Sequence, residues 1–262
     1  MRLKDKVVLV SGASGGLGEQ ICYEAAKQGA IVIACARRFP LVQQVKEKCR
    51  KISQRPAFAY EVDVANPDSI EQLVENVKTE IGTVDVLVNN AGFGYFEDFL
   101  SFDMQTTRQM FEVNVLGMML LTQKLAIEML AQQQGHIINI ASMAGKMATP
   151  KTAVYSATKF AVLGFSNALR LELKPFNIHV TTVNPGPIQT EFFDKADPKG
   201  DYLSNVEAFV LYPQKLAEQI VKQMLRPKRE INRPIVMEVA AKFYQLFPHL
   251  GDYLASGLFN KK

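Results

Sequence analysis

Short runs of apolar, often β-branched residues alternate with longer stretches of helical periodicity along most of this chain. The apolar runs occupy residues 7–11, 31–36, 57–62, 84–89, 136–141 and 178–184, with a seventh candidate at 234–238. Helical patterns fill 15–28, 41–52, 67–81, 106–133 and 153–173 between them. Near-continuous hydrophobicity is typical of strands buried on both faces. The alternation therefore predicts an α/β fold, with helices on both faces of a single doubly wound parallel sheet.

Length and composition fit one domain over residues 1–262. Of the 262 residues, 48% are hydrophobic and 21% are charged, which is ordinary for a soluble globular domain. The length lies at the upper end of the range for a single domain. Residues 187–212 form a long segment containing Phe192, Phe193, Tyr202, Leu203, Phe209 and Leu211. Long loops in compact domains often cover binding sites, so we expect a substrate lid here. Residues 239–262 form an apolar helical tail, for which core packing, subunit contact and a membrane interface are alternatives. Its few basic residues favour the first two.

Charge and cysteine content exclude several classes of partner. The net charge is +4, and the basic cluster at 226–233 contains a proline and a glutamate, so we expect a solvated loop and no nucleic-acid surface. The three cysteines lack C-x-x-C spacing, which predicts no metal site and a reducing compartment. The N-terminus has no signal-peptide pattern, so we expect a cytoplasmic protein. No run of 18 apolar residues occurs, so we expect no transmembrane segment.

A glycine-rich stretch follows the first predicted strand and opens the first predicted helix. It comprises Gly12, Ser14, Gly15, Gly16, Leu17 and Gly18. Glycines permit a tight turn, and the N–H groups of a helix N-terminus suit a phosphate. The same stretch also fits G-x-S-x-G, in which Ser14 would be the nucleophile of a serine hydrolase. That enzyme class needs an upstream oxyanion loop, for which the preceding 13 residues leave no room.

Several further motifs occur in an order and at separations that resemble the short-chain dehydrogenase/reductase family. The glycines have the spacing Gly12-x-x-x-Gly16-x-Gly18, and Asn89-Asn90-Ala91-Gly92 follows the fourth predicted strand. The later motifs are Asn114, Ser142, the Tyr155-x-x-x-Lys159 pair and Pro185-Gly186. The resemblance covers most of the chain. It implies a Rossmann-like fold and a nicotinamide cofactor contacted by the glycine-rich stretch, Asp63, Val64, Asn90, Ala91, Gly92, Tyr155, Lys159, Pro185, Gly186, Ile188 and Thr190.

The end of the second predicted strand indicates which nicotinamide cofactor is used. An acidic residue there binds the ribose 2′-hydroxyl in NAD-dependent proteins. Here the strand ends in Arg37 and Arg38, and no acidic residue occurs between positions 25 and 44. Guanidinium groups pair well with phosphate, so we expect NADP(H). Gly15 stands where NADP-dependent family members often carry a basic residue, so one expected positive contact is missing.

Tyr155 and Lys159 are four residues apart and share one face of a predicted helix. The usual tyrosine pKa of about 10 is high for acid–base catalysis, and a nearby ammonium lowers it. We therefore expect Tyr155 to act as general acid/base. We expect Ser142 to orient the substrate oxygen. By resemblance, Asn114 supports a water that relays protons to Lys159.

These residues predict an oxidoreductase that interconverts a small-molecule carbonyl and alcohol. The aromatic residues of the lid favour an apolar substrate. The alternative is a catalytically silent NADP(H)-binding sensor, although such proteins usually lack the tyrosine or the lysine. The helices at 106–133 and 153–173 are apolar on several faces, and in the family such helices form subunit interfaces. We therefore expect a homodimer or homotetramer.

Overall fold

The structure is a computed structural model and describes residues 1–147, 149–197 and 209–258, with side chains as far as residue 255. Its strands are β1 (Val7–Ser11), β2 (Ile31–Ala36), β3 (Ala57–Glu61), β4 (Val86–Asn89), β5 (Gly135–Ile140), β6 (Ile178–Pro185) and β7 (Glu230–Arg233). Its helices are α1 (Gly16–Lys27), α2 (Phe39–Ser53), α3 (Pro67–Glu80), α4 (Met104–Phe111), α5 (Met118–Gln132), α6 (Ala153–Leu173), α7 (Phe192–Ala196), α8 (Pro213–Gln223), α9 (Ile235–Leu246) and α10 (Pro248–Leu258).

The strands form one parallel sheet in the order β3-β2-β1-β4-β5-β6-β7. The predicted fold class is therefore confirmed. Successive residues of β1 point to opposite faces, so Val8 and Val10 pack in the layer of α1 and α8, whereas Leu9 packs in the layer of α3 and α5. The strand order reverses between β1 and β4, and ligands of such sheets bind at that switch point, beyond the carboxyl ends of the strands.

The seventh strand lies earlier in the chain than the sequence predicted. We expected it at 234–238, but it is Glu230–Arg233, and α9 begins at Ile235. The solvated loop expected at 226–233 is correspondingly wrong over its second half, because Asn232 and Ile231 are buried in the edge strand. The sequence did not predict this strand, because only one of its four residues has an aliphatic side chain and so no hydrophobic pattern results.

The long helix expected at 106–133 contains an irregularity. It starts at Met104 and reaches Gln132, but the segment Glu112–Gly117 between α4 and α5 is π-helical. The whole span Met104–Gln132 is long and apolar enough to cross a membrane by composition, and half of its most apolar window is buried within the fold. Core helices have the same property, and α5 packs Leu121 and Leu125 against the sheet.

The lid and the tail are partly described. Residues 198–208 of the lid, including Tyr202 and Leu203, and residues 259–262 of the tail lie outside the described ranges. Within the lid, residues Phe192–Ala196 form the short helix α7. The tail forms α9 and α10, and most of its large apolar side chains are exposed, including Leu246 and Tyr253 at 74% and 75%. The tail therefore contributes little to the core, and α10 packs on α9.

Candidate active site

Loops that follow the first six strands surround a cleft of about 420 Å³ at the switch point of the sheet. This switch-point cleft brings together nearly all of the residues singled out in the sequence. The predicted residues that line it are Gly12, Ser14, Gly15, Gly16, Leu17, Arg37, Arg38, Asp63, Val64, Asn90, Ala91, Gly92, Ser142, Tyr155, Lys159, Pro185, Gly186, Ile188 and Thr190. Gly18 and Asn114 are not among the lining residues and act from behind the cleft wall.

The glycine loop, residues 12–18, requires glycine at defined positions. Gly12 and Gly16 have φ values of +66° and +57°, a region that favours glycine. A Cβ on Gly12 would lie 2.8 Å from Ala91 Cα, and one on Gly18 would lie 2.4 Å from Gly12 O. The loop is thus pressed against the chain that follows β4 and against its own helix. It forms a glycine-rich cradle before α1, which fits the phosphates of a nucleotide.

Side chains fix the glycine loop to the end of β4. Ser11 Oγ accepts hydrogen bonds from Asn90 N and Ala91 N, both at 3.1 Å. Asn90 Nδ2 donates to Ser11 O at 3.0 Å and to Gly12 O at 3.1 Å. Although Asn90 lines the cleft, its amide nitrogen is used to hold the loop. The sequence had not assigned this positioning role to Ser11 or Asn90.

Tyr155 and Lys159 lie on adjacent turns of α6 and are buried, with 8% and 6% of their surface exposed. Lys159 Nζ donates to Ile140 O at 3.0 Å and lies 5.7 Å from the centroid of the Tyr155 ring. Burial disfavours the ammonium and lowers the pKa of Lys159 from 10.5 to about 8. The lysine therefore remains mainly protonated at neutral pH and places a positive charge next to the tyrosine.

Asn114 lies in the π-helical segment, which positions its side chain against the loop after β4. Its Nδ2 donates to Phe93 O at 2.8 Å and to Thr158 Oγ1 at 3.2 Å, and its Oδ1 accepts from Phe93 N at 3.0 Å. Measured from the position of a Cβ on Gly92, Asn114 Oδ1 is 3.0 Å away and Lys159 Nζ is 3.7 Å away. Asn114 and Lys159 thus both lie close to Gly92. π-helical segments often occur at functional sites.

The close approach of this helix to the third strand also depends on a glycine. A Cβ on Gly117, the last residue of the π-helical segment, would lie 1.9 Å from Val64 O. Asp63 Oδ1 accepts a hydrogen bond from Ala65 N at 3.0 Å, which fixes the turn after β3. Asp63 and Val64 are thereby held in the cleft wall, where the family resemblance places them.

Ser142 follows β5 and begins the short turn Met143–Gly145. Its Oγ accepts from Ala144 N at 3.1 Å and makes only a long contact of 3.5 Å to Pro185 O. The serine therefore has an oriented hydroxyl in the wall of the cleft that Tyr155 also lines.

Aromatic side chains pack against Tyr155. Phe96 and Phe192 have ring centroids 5.7 Å from that of Tyr155, and Phe192 and Phe193 are 5.2 Å apart. This aromatic cluster of Phe96, Tyr155, Phe192 and Phe193 leaves room only for glycine at position 94, where a Cβ would lie 2.8 Å from the Tyr155 ring. One end of the cleft is therefore apolar.

Charged side chains line another part of the cleft. Arg37 and Arg38 are exposed, and Arg38 Nε donates to Ser14 Oγ at 3.1 Å. Arg38 also forms an ion pair with Glu191, a residue that sequence analysis missed because it lies far away in the chain. Ser14 thus contacts an arginine. His136, by contrast, is fully buried and bonded to Thr181 and Leu225 N, so the serine-hydrolase arrangement is not formed by these residues.

A doubly wound parallel sheet with a glycine-lined cleft at its switch point defines a Rossmann-type nucleotide-binding protein. The family model for short chain dehydrogenase matches residues 6–200. The chain therefore belongs to the short-chain dehydrogenase/reductase family, and it is an oxidoreductase of the kind that acts on CH–OH groups. The resemblance inferred from the motifs is confirmed.

Relatives of known name or structure agree with this assignment. The Drosophila melanogaster protein named dehydrogenase/reductase SDR family protein 7-like is 35% identical over 256 residues, 95% of this chain and 78% of the relative. A serine dehydrogenase in its closed form with NADP+ is 30% identical, with a TM-score of 0.80 over 88% of this chain and 95% of that one. A 3-ketoacyl-(acyl-carrier-protein) reductase from Brucella melitensis with NADH is 27% identical, with a TM-score of 0.80 over 88% and 97%.

Proposed function

We propose that this protein interconverts an apolar carbonyl compound and its alcohol with NADP(H), using Tyr155 as the general acid/base. The observation that carries the proposal is the arrangement of one cleft. A buried Tyr155–Lys159 pair and Ser142 lie beside an aromatic wall, and two arginines lie beyond the glycine loop. The cleft therefore holds both a set of side chains suited to proton transfer and a set suited to the phosphates of a nucleotide.

The bound nicotinamide supplies the hydride for carbonyl reduction or accepts it from the alcohol. Tyr155 donates a proton to the carbonyl oxygen in reduction and removes it in oxidation. The Lys159 ammonium stabilises the phenolate that remains. Asn114 fixes the backbone at Phe93 and lies near Gly92, as does the Lys159 ammonium; in this proposal Asn114 supports a water that relays protons to Lys159. The Ser142 hydroxyl holds the substrate oxygen against the Tyr155 hydroxyl.

The preference for NADP(H) rests on charge at the end of β2. Arg37 and Arg38 line the switch-point cleft there, and β2 ends at Ala36 without a carboxylate of its own. A 2′-phosphate pairs with guanidinium groups through charge-assisted hydrogen bonds. One solved relative holds NADP+ and another NADH, so a direct comparison of the two cofactors is the decisive measurement.

The substrate class follows from the aromatic cluster. Phe96 and Phe192 face Tyr155, and Met143, Met147 and Met237 also line the cleft. Burying apolar substrate surface against these side chains contributes roughly 25 cal/mol per Å². An apolar ketone or secondary alcohol is therefore the expected substrate. A silent sensor has no need of an intact set of Tyr155, Lys159, Ser142 and Asn114.

We further propose a cytoplasmic homodimer or homotetramer formed through α5 and α6. Ile127 on α5, and Phe160 and Leu171 on α6, are exposed at 56%, 47% and 71%. Apolar side chains at such positions are typical of subunit contacts. A monomer by light scattering at micromolar concentration contradicts this proposal, and a fluorescent fusion excluded from the cytoplasm contradicts the location.

The catalytic proposal is tested with Tyr155→Phe, and Tyr244→Phe serves as a matched control. Tyr244 bonds Asp252 at 2.7 Å on the exposed tail. We expect Tyr155→Phe to lose at least about 10²-fold in kcat and to retain cofactor binding, whereas Tyr244→Phe keeps full turnover. The assay follows NADPH absorbance with a panel of apolar ketones. Unchanged turnover in Tyr155→Phe removes this tyrosine from the mechanism, and a tenfold preference for NADH refutes the cofactor assignment.

A further inference from the structure

One ion pair crosses the mouth of the switch-point cleft. Arg38 precedes α2 and Glu191 precedes α7, so the pair joins the end of β2 to the segment after β6. Arg38 Nη1 lies 3.2 Å from Glu191 Oε2, and Arg38 Nε donates to Ser14 Oγ at 3.1 Å. The two side chains are 55% and 72% exposed. Glu191 thus brings a carboxylate to an arginine pair that has none nearby in sequence.

The guanidinium of Arg38 also lies against the glycine at position 15. Gly15 has extended backbone, with φ of 174°, so its conformation does not demand glycine. A Cβ there would lie 3.2 Å from Arg38 Nη2 and 3.8 Å from Glu191 Oε2. The Arg38 guanidinium therefore occupies the space into which a side chain at position 15 would project. It supplies the positive charge that Gly15 lacks.

Each of the two hydrogen-bonding edges of the Arg38 guanidinium already has one donor bonded to a protein side chain. Guanidinium binds phosphate in bidentate fashion, either through Nη1 and Nη2 or through Nε and Nη2. Ser14 occupies Nε, and Glu191 occupies Nη1. A phosphate can bind at the Nη1–Nη2 edge of Arg38 only when the Glu191 carboxylate moves away from Nη1, because two anions on one donor repel each other. Arg37 has no ion pair within the described part of the chain.

We propose that Glu191 competes with the 2′-phosphate of NADP(H) for Arg38 and so sets the cofactor selectivity of the enzyme. The inference rests on the NADP(H) dependence proposed above. Glu191 lowers the affinity for NADP(H), whose 2′-phosphate competes with it for Arg38. It has little effect on the affinity for NAD(H), which lacks that phosphate. It is a selectivity-determining residue and takes no part in proton transfer.

The test measures binding of two cofactor fragments by calorimetry, so it does not depend on turnover. Adenosine 2′,5′-bisphosphate carries the 2′-phosphate, and adenosine 5′-monophosphate lacks it. Exposed ion pairs contribute little, so we expect Glu191→Gln to bind the bisphosphate about two- to fivefold more tightly and the monophosphate unchanged. Asp194→Asn removes an exposed carboxylate three residues later on α7 and should change neither affinity.

A second background identifies the partner through which Glu191 acts. In Arg38→Gln, adding Glu191→Gln should give no further gain, because the competing interaction is already absent. Weaker bisphosphate binding in Glu191→Gln, no change, or an equal gain for both fragments overturns the competition. Equal binding of both fragments by the wild type contradicts NADP(H) dependence itself. In that case a selective gain in Glu191→Gln still supports the competition, and its absence refutes both.

Discussion

Replacing Lys159 with methionine should remove activity without reducing stability. Lys159 is buried, and desolvation lowers the pKa of its ammonium from 10.5 to about 8. A pKa difference of this size means that burying the protonated lysine destabilises the folded state by about 3 kcal/mol at neutral pH. Methionine removes the buried charge but leaves Ile140 O without its 3.0 Å donor, a loss of about 1–3 kcal/mol. Lys159→Met should therefore be as stable as the wild type or more stable at pH 7.

The pH dependence makes this prediction specific. Because the folded-state pKa of Lys159 is lowered, the unfolded chain holds the lysine proton more tightly. The destabilisation from burying the charged lysine is therefore complete below pH 8. It is relieved as the pH rises toward the unfolded value of 10.5. Between pH 7 and 9.5, the Lys159 contribution to the free energy of unfolding should become more favourable by about 2 kcal/mol. Lys159→Met should lack this contribution.

The assay is urea unfolding of cofactor-free protein at the two pH values, with Lys51→Met as the control. Lys51 is exposed on α2, so its removal should leave the pH dependence of the wild type intact. The difference between Lys159→Met and the wild type cancels the contributions of all other titrating groups. The reasoning fails where Lys159→Met follows the same pH dependence as the wild type, or loses more than about 3 kcal/mol at pH 7.

Three further outcomes are expected. Burial lowers the pKa of His136 from 6.5 to about 3, so the unfolded state gains the proton first, and stability should fall by about 2 kcal/mol between pH 7.5 and 5. His136→Gln should lose most of that dependence in urea unfolding. Gly18→Ala places a Cβ 2.4 Å from Gly12 O, and adenosine 2′,5′-bisphosphate should bind at least about tenfold more weakly because the phosphate cradle is displaced. Gly164→Ala meets no atom within 4 Å; it should leave binding unchanged and raise stability by up to about 1 kcal/mol.

The sequence predicts most of the fold because the buried strands are near-continuous apolar runs. Val7–Ser11 and Ala153–Leu173 lie where they were expected. The edge strand Glu230–Arg233 escapes detection since only its inner residues are buried and one of them is asparagine. The following apolar residues resemble a strand, but they form α9. Local hydrophobicity therefore identifies central strands better than it identifies an edge strand.

The candidate site divides in the same way. Its motifs indicate which side chains meet at the switch point, because parallel strands deliver their carboxyl-terminal loops to one edge of the sheet. They do not indicate the Arg38–Glu191 pair, which joins loops 153 positions apart. Nor do they reveal that Asn114 lies in a π-helical turn, since the hydrophobic pattern continues through that turn from one helix to the next.

The chemical and substrate parts of the site are held by different kinds of contact. Lys159 bonds Ile140 O, and Asn114 bonds the backbone of Phe93 on both sides. These partners are main-chain atoms of β5 and of the loop after β4, so motif spacing is enough to place the side chains of the proposed proton transfer. Phe192, in contrast, is positioned by other aromatic side chains. Substitution of Phe192 should therefore change substrate preference more than it changes the backbone contacts of Lys159 and Asn114, which explains why the motifs indicate the class of reaction but not its substrate.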